Sequence, residues 1–198
     1  MVMRSQLRPL FITFFLLMFI TGVIYPLIVT GLSQAFFSSQ ANGSTIEKNG
    51  KLVGSKLIGQ NFTGDKYFWG RPSATSNSPY NAFNADSMTG SSGSNLGPLS
   101  QTLIDSVQDR VDFLNNADFK NSSAIPVELV TSSGSGLDPH ISIAAAYFQI
   151  PRVAQTRGMS EGEIKKVVDQ FIESRQFGIF GEPRINVLML NLALDDIQ

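Results

Sequence analysis

A chain of 198 residues with 42% hydrophobic residues and a formal net charge of −1 has room for one ordinary domain plus a short extension. That balance offers no clustered basic face for nucleic acid. The absence of cysteine excludes a disulfide framework, a thiolate metal site, a thiol nucleophile and a cysteine-borne lipid anchor.

The hydrophobicity is unevenly placed. From Pro9 to Leu32 the sequence reads PLFITFFLLMFITGVIYPLIVTGL, and no charged residue stands between Arg8 and Glu47. About 20 apolar residues rising ~1.5 Å each cross a bilayer's hydrocarbon core, so this run predicts a transmembrane helix over residues 9–32. A signal peptide is the competing reading, with an apolar region of only about 7–15 residues. The nearest small-x-small sites here are Ser33-Gln34-Ala35 and Ser39-Gln40-Ala41. Arg4 and Arg8 flank the span on one side and the next basic residue is Lys48. The positive-inside rule therefore puts residues 1–8 in the cytoplasm and the main domain outside. Gly22, Pro26 and Gly31 lie within the span and are the expected membrane contacts, because small residues and proline are accommodated best where neighbouring helices pack. A slightly kinked lone anchor is the alternative.

Residues 33–46 read as a polar stalk, and residues 47–198 as a single mixed α/β domain. KLVGSKLIGQNF suggests one or two strands broken at Gly54 and Gly59. At about residues 70–98 the composition turns to Ser, Asn, Gly, Pro and Ala. A loop this long exceeds the ~12–15 residues usual in compact domains, so it is functional or partly disordered. Trp69, Tyr80 and Phe83 would pin it to a surface. In PLSQTLIDSVQDRVDFLN, the residues Leu99, Leu103, Val107, Val111 and Leu114 share one helical stripe, with Pro98 suited to the first turn. IPVELVT reads as a short buried strand. A further helix is expected from Asp138 through ISIAAAYFQ, bent or restarted by Pro151. Ser160 and Glu163 form a capping-box pattern ahead of Ile164, Val167, Val168, Phe171 and Ile172. INVLMLNLAL, apolar on both faces, reads as a central strand. The expected fold is α/β mixed (α+β), tethered by one N-terminal helix.

One stretch looks catalytic. SGSGLDPHIS holds Ser135, Asp138 and the chain's single histidine, His140. A nucleophile elbow needs Gly-x-Ser-x-Gly, and here the flanking positions are Ser133 and Leu137. Triad partners also converge from distant segments. The local reading assigns Gly134 and Gly136 to a flexible turn, Asp138 to a helix N-cap and Pro139 to the first helical position. No catalytic residue is assigned, and one histidine does not make a metal site. A membrane-anchored hydrolase or binding domain is the alternative class. Gly93-Ser94-Asn95-Leu96-Gly97 and Ser133 to Gly136 are Gly/Ser-rich turns before expected helices, where free N–H groups attract anions, but no phosphate-loop pattern is present.

The strings LRPLF, TGVIYPLIVTGLSQAFF, GSKLIGQNF, YFWGRPSAT, GSNLGP, VELVTSSGSGLDPHIS, FQIPRVAQTRG and INVLMLNLAL occur in an order that covers essentially the whole chain. The sequence resembles the KdpC family of the Kdp-type potassium-transporting ATPases. The resemblance implies an accessory, non-catalytic subunit of a pump in the bacterial inner membrane. Its partners would be a potassium-binding channel-like subunit, a P-type ATP-hydrolysing subunit and a small membrane subunit. It further implies support of assembly and a catalytic-chaperone role that raises ATP affinity in the hydrolysing subunit. No tightly bound cofactor is implied, only ATP shared with that subunit. Gln149 corresponds to the family's proposed nucleotide-contacting glutamine, and Ser92 to Gly97, with Ser94, Asn95 and Gly97, to a stretch compared with a transporter signature. Ser92 stands where the family usually has Gly, and Ile143 where it often has Pro. The charge asymmetry places Gln149 outside while ATP is inside, so the effect on ATP affinity is expected through the pump's conformational equilibrium.

Overall fold

The computed structural model describes residues 2–75, 79–84, 89–118 and 121–197, with side chains from residue 6 onward. The Arg4 side chain and parts of the expected 70–98 loop lie outside the described residues. The chain divides into two compact units, Met1–Leu52 and Val53–Gln198.

In the first unit, α1 (Val2–Phe19) leads through a π-helical turn (Ile20–Ile24) into α2 (Tyr25–Phe36). Gln6–Phe36 forms a helical run of 31 residues with a mean hydropathy of 2.4, and none of its most apolar window is buried within the chain. Length and composition thus suit a membrane span. The π turn has an identifiable cause. Pro26 lies in the first turn of α2, lacks an N–H, and its ring would crowd the carbonyl of Gly22 in a regular α-helix. A wider turn just ahead of it relieves that clash. Beyond α2 the expected polar stalk contains helix: α3 (Ser38–Ala41) follows, braced by paired amides of Gln34 and Asn42 at 3.2 Å. Strands β1 (Thr45–Lys48) and β2 (Lys51–Ser55) then pair across Asn49-Gly50. Both turn residues have positive φ, as a two-residue hairpin with the sheet's twist requires.

The second unit contains the short pair β3 (Phe83–Asn84) and β4 (Thr89–Gly90), α4 (Gln101–Ala117), and a 3₁₀ turn (Val127–Leu129). It continues with β5 (His140–Ser142), α5 (Ile143–Arg157), α6 (Glu161–Gln170), β6 (Ile172–Glu173), β7 (Arg184–Asn186) and α7 (Val187–Asp196). The antiparallel sheet has the order β5-β7-β6, with Ile185 opposite both Ile141 and Ile172. Ile141 and Ile185 join Ala145, Val153, Ile164, Val168, Leu190 and Leu194 in one core, to which Phe68 and Trp69 contribute the largest side chains.

Helix ends follow their local signals where the cap is polar and close. Ser160 and Glu163 complete the reciprocal capping box of α6. Ser142 accepts from Ala145 N at 3.1 Å to open α5, and Asn186 accepts from Met189 N at 3.1 Å to open α7. Several expectations change. The helix predicted from Asp138 begins at Ile143, because pairing with β7 draws His140–Ser142 into a strand. Asp138 is therefore not a helix N-cap and Pro139 is not a first helical residue. The Asp138 Oδ1 instead accepts from His140 N at 3.0 Å, capping a turn, and the Pro139 carbonyl accepts from Val187 N. INVLMLNLAL is strand only to Asn186 and helix thereafter. IPVELVT holds a 3₁₀ turn in place of a strand. Pro151 sits inside an unbroken α5. On α4 the buried residue is Leu114, while Leu99 lies outside the helix and is 93% exposed.

Candidate functional site

The densest polar chemistry surrounds residues 65–69, a segment with no strand of its own. Its backbone is paired by side chains from two helices. Gln149 of α5 accepts from Trp69 N at 2.8 Å and donates to Trp69 O at 3.1 Å. Asn191 of α7 treats Phe68 alike, at 2.8 and 2.9 Å. Each amide thus replaces a neighbouring strand for a buried residue whose N–H and C=O would otherwise be orphaned. Helical spacing places Arg152 on the same face of α5 as Gln149. Its guanidinium donates to Asp65 O, to Tyr67 O at 3.0 Å and to Gln149 Oε1 at 2.8 Å. It also lies 3.5 Å from the Trp69 ring centre. One turn on, Arg157 donates to Lys66 O and Leu194 O, both at 2.8 Å, and pairs with Asp195 at 2.9 Å. Burial lowers the Arg152 pKa to about 10, against the opposing pull of Asp65 and Asp118. The group stays charged at neutral pH.

This network determines what Gln149 is free to do. A primary amide has two N–H donors and two acceptor lone pairs. Gln149 uses all of them: Trp69 N and Arg152 on its oxygen, Trp69 O and Ala145 O on its nitrogen. It is 2% exposed. No donor or acceptor is left over for a ligand in this arrangement.

The two Gly/Ser-rich turns, far apart in sequence, are packed against each other. A Cβ on Gly93 would meet Gly134 O at 2.9 Å, and one on Gly136 would meet Ser92 O at 2.6 Å. Gly136 also has a φ of +67°, which L side chains rarely adopt. Ser91 donates to Ser135 O at 3.0 Å and Ser73 to Gly136 O at 2.7 Å, tying the pair to the Arg71–Thr75 segment. Ser94 and Leu96 form one wall of a groove of about 390 Å³ that Pro72, Leu103, Arg110 and Thr131 also line. Gln149 is not part of that lining. Asn95 takes a positive φ on the surface, and Gly97 O accepts from Ser100 N ahead of α4.

Ser135, Asp138 and His140 do not form a relay. The Ser135 hydroxyl accepts from Leu137 N at 3.1 Å. The His140 ring faces Asp138 at 3.5 Å and Glu173 at 3.8 Å. Asp138 also pairs with Arg71 at 3.3 Å. Burial acts to raise its carboxyl pKa, but bonds from His140 and the Arg71 charge outweigh that and hold it below the ordinary value. Among the described residues no group of three or more His, Cys, Asp or Glu is arranged to hold a metal. In the N-terminal unit, Gly22 lies in the π turn and Gly31 in α2, and a Cβ on either would meet only open space.

Sequence reading did not single out Arg152, Arg157 or Asn191. The Gln149–Arg152 spacing was the one visible signal, two polar residues three apart on α5.

Comparison with known proteins identifies the chain. The family model for KdpC, the K+-transporting ATPase c chain, matches residues 7–196. The chain is 53% identical over 196 residues to the potassium-transporting ATPase KdpC subunit of Paraburkholderia phytofirmans, covering 99% of each. The KdpC subunit of Dechloromonas aromatica is 53% identical, with 99% of this chain and 100% of that one covered. That of Janthinobacterium is 52% identical over 193 residues, covering 98% of this chain and 99% of the other. With so even a match from the apolar helix to the last turn of α7, the chain belongs to the KdpC family.

Proposed function

We propose that this chain is the non-catalytic accessory subunit of an ATP-driven potassium pump. Its N-terminal helix joins the polytopic subunits, and its folded unit lies outside the inner membrane. Its partners are the potassium-binding channel-like subunit, the ATP-hydrolysing subunit and a small membrane subunit. It raises the ATP affinity of the hydrolysing subunit by favouring one conformation of the pump, without contributing a nucleotide ligand. Such an effect needs only that the chain bind one state of the pump better than another.

The observation that supports the indirect route is the saturated amide of Gln149, every donor and acceptor of which is used to hold Trp69, Arg152 and Ala145. Contact with ATP would require breaking that clamp. The Ser135 hydroxyl serves Leu137 N and the His140 ring faces Asp138, which argues against a hydrolase relay.

Two measurements test the proposal on the assembled pump. With the chain present, the KM for ATP falls; a photoreactive ATP analogue labels the hydrolysing subunit and leaves this chain unlabelled. Labelling of this chain near Gln149 would overturn the indirect route. The chain has no cysteine, so Ser122→Cys introduces a unique thiol at an exposed position. In intact spheroplasts an impermeant maleimide is expected to label it. Labelling that appears only after permeabilisation would reverse the orientation.

A further inference from the structure

A small cleft of about 160 Å³ opens beside the clamp, lined by Asn61, Thr63, Arg71, Ser73, Tyr80 and Arg110 among others, and among the described residues no carboxylate is part of its lining. We propose that this cleft is a binding site for a compact oxyanion such as a phosphate group, with Arg110 as its principal ligand. The proposal is independent of the pump role.

Arg110 is the reason for the assignment. Its Nε donates to Leu129 O at 3.1 Å, and its guanidinium carbon lies 4.8 Å from the Phe113 ring centre and 6.0 Å from that of Trp69. These contacts fix the guanidinium. Its two terminal nitrogens have no hydrogen-bond partner, and Arg110 forms no ion pair, among the described residues. A guanidinium held at one edge and open at the other presents a planar fork suited to two oxygens of one anion. Burial lowers the Arg110 pKa, partly offset by Tyr80, so the cation is partly desolvated, with no ion pair among the described residues to offset it. An anion would offset that penalty.

Arg71 supports the site without dominating it. Its Nη1 pairs with Asp138 and its Nη2 donates to Ser132 O at 3.2 Å, while its Nε is buried with no hydrogen-bond partner among the described residues. The Asp138 carboxylate neutralises Arg71, which leaves Arg110 as the uncompensated charge. Tyr80 is anchored by donating to Arg71 O at 2.6 Å and stays neutral, its pKa pushed up to about 12 by burial. The adjoining groove shares Arg110 but is also lined by Asp109, which opposes an anion there and favours the smaller cleft.

Trp69, the chain's only tryptophan, lines the same cleft and reports on it directly. The full chain in detergent is titrated with sodium phosphate against sodium chloride of equal ionic strength, following tryptophan emission. A second arm adds short-chain phosphatidylglycerol, compared with the matching diacylglycerol that lacks the phosphate. A saturable response to phosphate assigns a soluble anion; a response confined to the phospholipid assigns a lipid headgroup. Either supports the site if Arg110→Gln weakens it about tenfold or more, near 1.4 kcal/mol. Arg175→Gln removes a guanidinium that pairs with Glu182 at 2.6 Å elsewhere, and leaves the response unchanged. No saturable response in either arm, or full affinity in Arg110→Gln, overturns the proposal. If urea unfolding shows that Arg110→Gln does not fold, Arg110→Lys carries the test. It keeps the charge and loses the fork, so about threefold weaker binding is expected, and undiminished binding overturns the site.

Discussion

Between Gln6 and Phe36 every apolar side chain is left uncovered by the rest of the chain, whereas from Val53 onward Phe68, Leu129, Ile164, Ile185, Leu190 and Leu194 are fully enclosed. The first region satisfies its backbone by itself, turn upon turn, and needs an apolar surrounding for its side chains. The second satisfies its side chains first and then borrows buried polar groups, Gln149, Asn191, Arg152 and Arg157, to serve backbone that no strand reaches. The first is therefore expected to tolerate change where nothing packs within the chain, and the second to lose stability when a buried polar group is removed. Substitutions in the two regions test that contrast.

The largest effect is expected from Arg152→Ala, which strips Asp65 O, Tyr67 O and Gln149 Oε1 of a charged donor in a buried setting. Charged hydrogen bonds and stranded acceptors together put the loss at about 3–4 kcal/mol. Urea unfolding followed by Trp69 emission measures it, and a loss below about 1 kcal/mol would mean that the segment is held by burial alone. Gln149→Leu and Asn191→Leu each orphan one buried N–H and one C=O, for about 2–3 kcal/mol apiece. Since Phe68 and Trp69 are neighbours, the double variant is expected to fall short of the sum by about 0.5–1 kcal/mol. Strict additivity would show two independent clamps.

A smaller effect is tied to pH. The Asp138 pKa is held below its ordinary 3.8, so its stabilising contribution is complete above that value and disappears as pH falls through the lower folded value. Asp138→Asn is expected to narrow the difference in urea midpoint between about pH 6 and about pH 3. An unchanged difference would remove Asp138 from the acid response. The smallest effect on unfolding is expected in the N-terminal helix. Gly22→Leu and Gly31→Leu meet open space within the chain and shift the unfolding of the second unit by less than about 0.5 kcal/mol. Their consequence lies between chains: recovery of the other pump subunits in detergent co-purification is expected to drop if neighbouring helices pack on these glycines. Full recovery would make the helix a lone anchor.

Legibility in the sequence followed the range of the interaction. The Ser160–Glu163 box and the length of the apolar helix were readable because their determinants are local. INVLMLNLAL misled because a segment apolar on nearly every face carries no clear periodicity, so buried strand and buried helix look alike. Asn186, whose side chain opens α7, was the overlooked signal there. The Asp138-Pro139 pair carried a strong local helix-start pattern that strand pairing with β7 overrode. Beyond its spacing from Arg152, the role of Gln149 was not readable, since its partner Trp69 lies 80 positions away.

What the sequence by itself determined was the division of the molecule and the family: an uninterrupted apolar run demands a nonpolar surrounding wherever it is placed, and long strings of residues in a fixed order carry the family likeness. What the tertiary structure alone decided was which polar residues are structural and which are free. Gln149 is silent because the backbone of Trp69 occupies it, and Arg110 is open because no acid among the described residues pairs with its terminal nitrogens. Both residues are polar members of helices in sequence. Hydrogen-bonding capacity becomes used or available only when distant segments close around it.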